Sequence, residues 1–156
     1  MVEDINWQAS SMSREELLNK DFIAKDYLDE IKAADIIFLP HINKREKLYV
    51  SYPEITVEFL DYLSENMESN VEVAVSDSDF KLLELHSADF IPPIMWITEN
   101  VILPFLIPCI ISWMDKKGSK EIELEIYKET SEGVKKISYK GDKEGLKEIA
   151  KLEREL

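Results

Sequence analysis

The sequence predicts an α+β fold with three parts: a small N-terminal α/β layer, a central apolar helix carrying prolines, and a C-terminal ββα unit. Three observations support this. Helix-like and strand-like patterns alternate over residues 13–90. An apolar run, "IPPIMWITENVILPFLIPCIISWM", fills 91–114 with Glu99 as its one charged side chain. After it, "EIELEI" and "VKKISY" flank a glycine turn and lead into a helical stretch. The chain has 156 residues, 45% of them hydrophobic, which is room for one medium domain or two very small ones. The expected divisions are a flexible start (1–12), an acidic α/β domain (13–90), the apolar segment (91–117) and the ββα domain (118–156).

Ser13, with Glu16 three residues on, forms a capping box that opens a helix. Leu17, Phe22, Tyr27, Leu28 and Ile31 give that helix a broken apolar stripe. "DIIFLP" is a short apolar run closed by Pro40, the pattern of a strand buried on both faces. "HINKREKLYVSY" reads as a loop or an edge hairpin. Pro53 suits a helix start, and "EITVEFLDYLSENM" has helical spacing. "VEVAVS" is a second strand. "DSDFKLLELHSADF" is either a short helix capped by Asp77 or Ser78, or an extended segment. The loops at Pro40-His41 and Ser76-Asp77-Ser78-Asp79 would share one sheet edge, where open parallel sheets bind ligands. Ile122, Leu124 and Ile126 alternate with glutamates in a half-buried strand. Gly133 turns the chain into a partner strand, and Asp142 caps a helix bearing Leu146, Ile149, Leu152 and Leu156. This ββα unit is too small to stand alone and needs something to pack on.

The apolar run has several readings. A membrane span needs ~20 apolar residues. The run suffices if Glu99-Asn100 is tolerated, and falls short if the count restarts at Val101. Trp96 and Trp113 lie about 25 Å apart along a helix, close to the hydrocarbon thickness, and tryptophans favour both interfaces. Lys116 and Lys117 end the run with charge. Pro104 and Pro108 would each cost about 3 kcal/mol inside a soluble helix but are tolerated in membranes. The expectation is a transmembrane segment and a cell-membrane location, with Glu99 and Asn100 lining or gating a pore in an oligomer. The competing readings are a buried element of an α/β core in a cytoplasmic protein, or a segment hidden in an oligomer and inserted later.

Residues 111–156 carry a Trp-ended apolar segment (Trp113), Lys116-Lys117, a strand at 121–127, Gly133, a strand at 134–139 and a helix after Asp142. This pattern resembles small effector-associated components of bacterial conflict and antiphage systems. The resemblance covers about the last 55 residues. It implies a non-enzymatic, membrane-linked partner in antiviral defence.

Charge and motif content narrow the chemistry. The formal net charge is −13; residues 1–93 hold 20 acids and 8 bases (−12), and 94–156 hold 12 acids and 11 bases (−1). Such an acidic surface argues against nucleic acid. His41, near the acids of the second loop, is a ligand-binding candidate with Ser76, Asp77 and Asp79. Neither His41 nor His86 has metal-ligand spacing, and no glycine-rich phosphate loop is present, so no catalytic residue, metal or cofactor is expected. Cys109 lies among apolar residues, and its thiol should be inert. Lys44, Arg45 and Lys47 form the one basic cluster of the acidic part. The expected function is a membrane-associated accessory or effector protein, homo-oligomeric, with a protein partner encoded nearby. The alternative is a soluble regulatory module that binds protein and uses its apolar segment as core or oligomer interface.

Overall fold

Alternating glutamate and branched residues in the last third of the chain build the centre of a sheet, and the rest of the fold is arranged on it. The computed structural model describes residues 5–43, 49–53, 55–76, 82–83 and 90–155. In chain order the elements are β1 (Ile5–Ser10), α1 (Arg14–Leu18), α2 (Leu28–Ala33), β2 (Ile36–Leu39), β3 (His41–Asn43), β4 (Tyr49–Pro53), α3 (Thr56–Asn66), β5 (Val71–Val73), β6 (Leu82–Leu83), β7 (Ile94–Ile97), α4 (Leu103–Lys117), β8 (Glu121–Thr130), β9 (Gly133–Asp142) and α5 (Lys143–Lys151).

Six strands form one mixed sheet in the order β1-β9-β8-β7-β2-β5. The β8–β9 hairpin is antiparallel over ten residue pairs, from Glu121 opposite Asp142 to Thr130 opposite Gly133. Two parallel contacts, β2 with β5 and β7 with β8, are bridged by α3 and α4 respectively. Parallel neighbours need such a crossover, and a helix supplies it. A smaller sheet, β3-β4-β6, stands beside β2. Tyr52 of β4 is fully buried there and donates its hydroxyl to the Phe38 carbonyl at 2.6 Å.

Both faces of the sheet are used. On one, Ile36, Phe38, Met95, Ile97, Ile122, Leu124, Ile126 and Ile137 pack under α3, α4 and α5. On the other, Ile37, Leu39 and Trp96 pack under the α1–α2 segment through Leu17, Ile23 and Ile31. Ser13 caps α1 as its sequence suggests, its hydroxyl accepting from the Glu16 amide at 3.1 Å. The expected long helix is nevertheless broken. The apolar residues after Leu17 fall out of helical phase, and two short helices with a 3-10 turn at Lys25–Tyr27 bring them all onto the sheet. Residues 5–10, where the sequence suggests a loose start, form edge strand β1. The ββα unit packs into the same sheet as the N-terminal layer.

The transmembrane expectation is corrected. Among the described residues, no helix is long and apolar enough to cross a membrane. Glu99 and Asn100 are exposed in a turn that splits the run into β7 and α4, so counting apolar residues from Val101 is the right count. α4 has 15 residues, roughly 22 Å of helix against the ~30 Å of hydrocarbon to be crossed. Its apolar residues Leu103, Leu106, Ile107, Ile110, Trp113 and Met114 are buried against the sheet and its neighbouring helices. Pro104 sits in the first turn, where a missing N–H costs nothing. Pro108 forfeits one backbone bond on the exposed side of the helix. Gly118, at φ 71°, closes α4. Its amide donates to Asp115 O at 3.3 Å and that of Ser119 to Met114 O at 2.9 Å, a Schellman ending.

The β9–α5 corner depends on close approach. The Tyr139 hydroxyl donates to the Asp142 carbonyl at 2.8 Å, and the Asp142 carboxylate accepts from the Gly145 amide at 3.1 Å. A Cβ on Gly145 would overlap the Tyr139 ring. Gly145→Ala should therefore destabilise the protein in urea unfolding. Helix propensity alone would have it gain about 1 kcal/mol. A gain in stability would show that Tyr139 is not held against this helix.

Candidate functional site

β2 and β5 run parallel, with Phe38 opposite Val73, and the Ala74 amide donates to the Phe38 carbonyl at 3.0 Å. The segments that follow them, His41 and Ser76, therefore leave from the same end of the sheet. Ser76 is half-buried; Asp77 and Asp79 lie outside the described residues, as do His86, Lys44, Arg45 and Lys47. Because β7 is antiparallel to β2, this end also holds Ile91 and Pro92 and the first half of β8. The result is a groove of about 410 Å³ with His41 on one wall, Ile91, Pro92 and Ile94 as apolar lining, and Glu123, Glu125 and Lys140 along the strands.

The alternation that makes β8 half-buried places Glu123 and Glu125 on this open face. Each is matched by a lysine of β9: Lys140 to Glu123 and Lys136 to Glu125, both at 3.2 Å. The Lys136 ammonium also stands 5.7 Å from the Tyr127 ring centroid, and Tyr127 stacks on Trp96 at 5.6 Å. Burial pushes His41 below its ordinary 6.5, and the Glu125 carboxylate acts against that. These charges occur as matched pairs, which suits recognition of a polar group more than activation of a nucleophile. Among the described residues, no group of three or more His, Cys, Asp or Glu is placed to hold a metal.

The residues assigned to a membrane span have other positions. Trp96 is fully buried, and its indole N–H donates to Glu129 Oε2 at 2.5 Å. The same oxygen accepts from Arg14 at 2.8 Å, while the other Arg14 nitrogen reaches the Lys32 carbonyl at 2.5 Å, tying α1 and α2 to β8. Trp113 is buried in an aromatic cluster with Phe59, Phe90 and Tyr62, at centroid distances of 5.7, 6.4 and 5.1 Å. Lys116 and Lys117 lie over Trp113 at 6.0 and 5.0 Å, and Lys117 pairs with Glu58 at 2.9 Å. The interface and pore roles of Trp96, Glu99, Asn100, Trp113, Lys116 and Lys117 fall with the span.

The sequence reading missed Lys128. It is 2% exposed, and its ammonium donates to the carbonyls of Val101 and, at 3.1 Å, Thr98, both in the turn before α4. The Glu153 carboxylate lies 3.7 Å away and also accepts from the Leu103 amide at 2.9 Å, capping α4 where no side chain of its own does. Burial pulls Lys128 below 10.5, and Glu153 opposes that. A signal was present: Lys128 stands at the inward parity of β8, in line with Ile122, Leu124 and Ile126.

No protein-family model, curated protein or solved structure matches this chain.

Two measurements check this geometry. Lys128→Met should cost about 3 kcal/mol in urea unfolding, because it leaves a buried carboxylate and two buried carbonyls behind. Glu153→Gln, which keeps an acceptor for Leu103, should cost about 1 kcal/mol. A neutral Lys128→Met would mean that the turn holds without the ammonium. For His41 the sign follows from its lowered value. The unfolded chain takes up the proton first, so His41 lowers stability as pH falls from its unfolded value toward its folded one. The stability advantage of the chain over its His41→Asn variant should shrink between about pH 7 and pH 5. A difference that stays flat would place His41 in water.

Proposed function

We propose that the chain is a non-enzymatic protein-binding module that regulates another protein, with its apolar run serving as core. The observation that carries this reading is what the run leaves outside. α4 is the middle helix of its layer, and most of its apolar side chains are buried. On the N-terminal half of its outward side, Pro104 and Pro108 are exposed, and Phe105 between them is 68% exposed. An aromatic anchor on a proline-stiffened ridge has little conformational freedom to lose on binding, and aromatic side chains dominate the energetics of interfaces. The half beyond it is polar, with Ser112, Asp115 and Lys116. The pattern of the last 55 residues, similar to small components of bacterial conflict systems, favours a partner encoded beside this chain.

Photocrosslinking tests the contact. With p-benzoylphenylalanine at Phe105, one discrete adduct with such a neighbouring protein is expected; with the same group at Lys147, exposed on α5, none. Phe105→Asp should abolish binding of that protein and leave stability within about 0.5 kcal/mol. Equal adducts at both positions, or none at Phe105, would remove the ridge as a docking element.

A further inference from the structure

The six-stranded sheet has two edges, and the chain treats them differently. β5 is three residues long and carries Glu72 at its centre, beside a groove that also holds Glu30 and Glu68. A short, charged strand is how proteins blunt an edge. β1 has none of these devices. It runs for six residues, "INWQAS", with no charge and no proline, and stays in unbroken register against β9 from Ile5 opposite Tyr139 to Ser10 opposite Val134. Its one strand neighbour among the described residues is β9. Gln8 and Ala9 are consecutive, so they point to opposite faces of the sheet, and both are exposed. At this point no described helix overhangs either face, so a further strand has room on both.

We infer that β1 pairs antiparallel with β1 of a second copy of this chain, extending the sheet across a two-fold axis. Symmetry selects this occupant. A copy presenting β5 to β1 would build an open head-to-tail array and place Glu72 in the joint. β1 against β1 uses the same surface twice and closes. The charge pattern agrees. In a chain of net charge −13, β1 is an uncharged edge along which two copies meet without opposing carboxylates. The pairing uses main-chain hydrogen bonds, as in other strand-addition contacts. It lies apart from the α4 ridge and does not depend on it.

Sedimentation equilibrium across a wide concentration range in ~150 mM salt tests this, ionic strength being enough to screen general repulsion. The chain should pass from 18.2 kDa to twice that mass. In hydrogen exchange, the β1 amides should become more protected as the dimer forms. Q8K/A9K, which places lysines on both exposed faces, should stay at 18.2 kDa with an unchanged melting temperature, while Phe105→Asp should dimerise like the parent chain. A parent chain that stays monomeric at every concentration overturns the inference. So does a dimer that survives Q8K/A9K, since its interface would be elsewhere. If Q8K/A9K unfolds, concentration-independent exchange of the β1 amides in the parent chain overturns it equally.

Discussion

A lysine ammonium with almost no access to water holds the crossover between β7 and α4. Lys128 reaches the carbonyls that the chain exposes as it leaves β7, and Glu153 answers both the ammonium and the first amide of α4. Taking a charge out of water is unfavourable unless its partners are fixed beforehand. Here they are fixed by three separate elements: β8, the turn after β7, and the 3-10 turn after α5. If α4 shifts, the turn carbonyls lose their donor. If the segment after α5 lifts, α4 loses its cap and Lys128 its counter-charge. The position of α4 governs the Trp113 cluster and the Phe105 ridge, so both depend on this arrangement.

The parts of the fold set by local chemistry were legible in the sequence. Ser13 and Asp142 are caps because each side chain satisfies an amide three residues on. Gly133 turns the hairpin, and the glutamates of β8 announce its open face. The apolar run was misread because composition reports that residues avoid water and is silent on what replaces it. Trp96 and Trp113 have a bilayer-like spacing only if one helix joins them. In fact one lies in a strand against Tyr127 and the other in a helix against Phe59. What separates the two readings is whether Glu99-Asn100 is a tolerated interruption or a turn, and the sheet partners of β7 decide that: β2 on one side and β8 on the other.

The candidate site was legible in part. His41 and Ser76 leave the sheet from one end because β2 and β5 are parallel, as helix and strand alternation suggests. The walls that Glu123, Glu125 and Lys140 add to the groove come from strands some eighty residues further on, and no local pattern links them to His41. Lys128 is the opposite case. Its inward parity was visible in the alternation of β8, but a lysine inside a strand is easily taken for a surface residue when the purpose of its burial lies in a turn elsewhere.

The place of β1 at one side of the sheet also bears on the order in which the protein assembles. Ile5–Ser10 is an early stretch to leave the ribosome, yet its partner is β9, with Ile5 opposite Tyr139. Nearly the whole chain must be synthesised before that pairing exists, and closing so long a loop is slow compared with forming the β8–β9 hairpin. The first strand therefore waits while the later ones fold. For that interval it depends on whatever accompanies the nascent chain, and sequence changes in β1 bear on the yield of synthesis as well as on the finished fold.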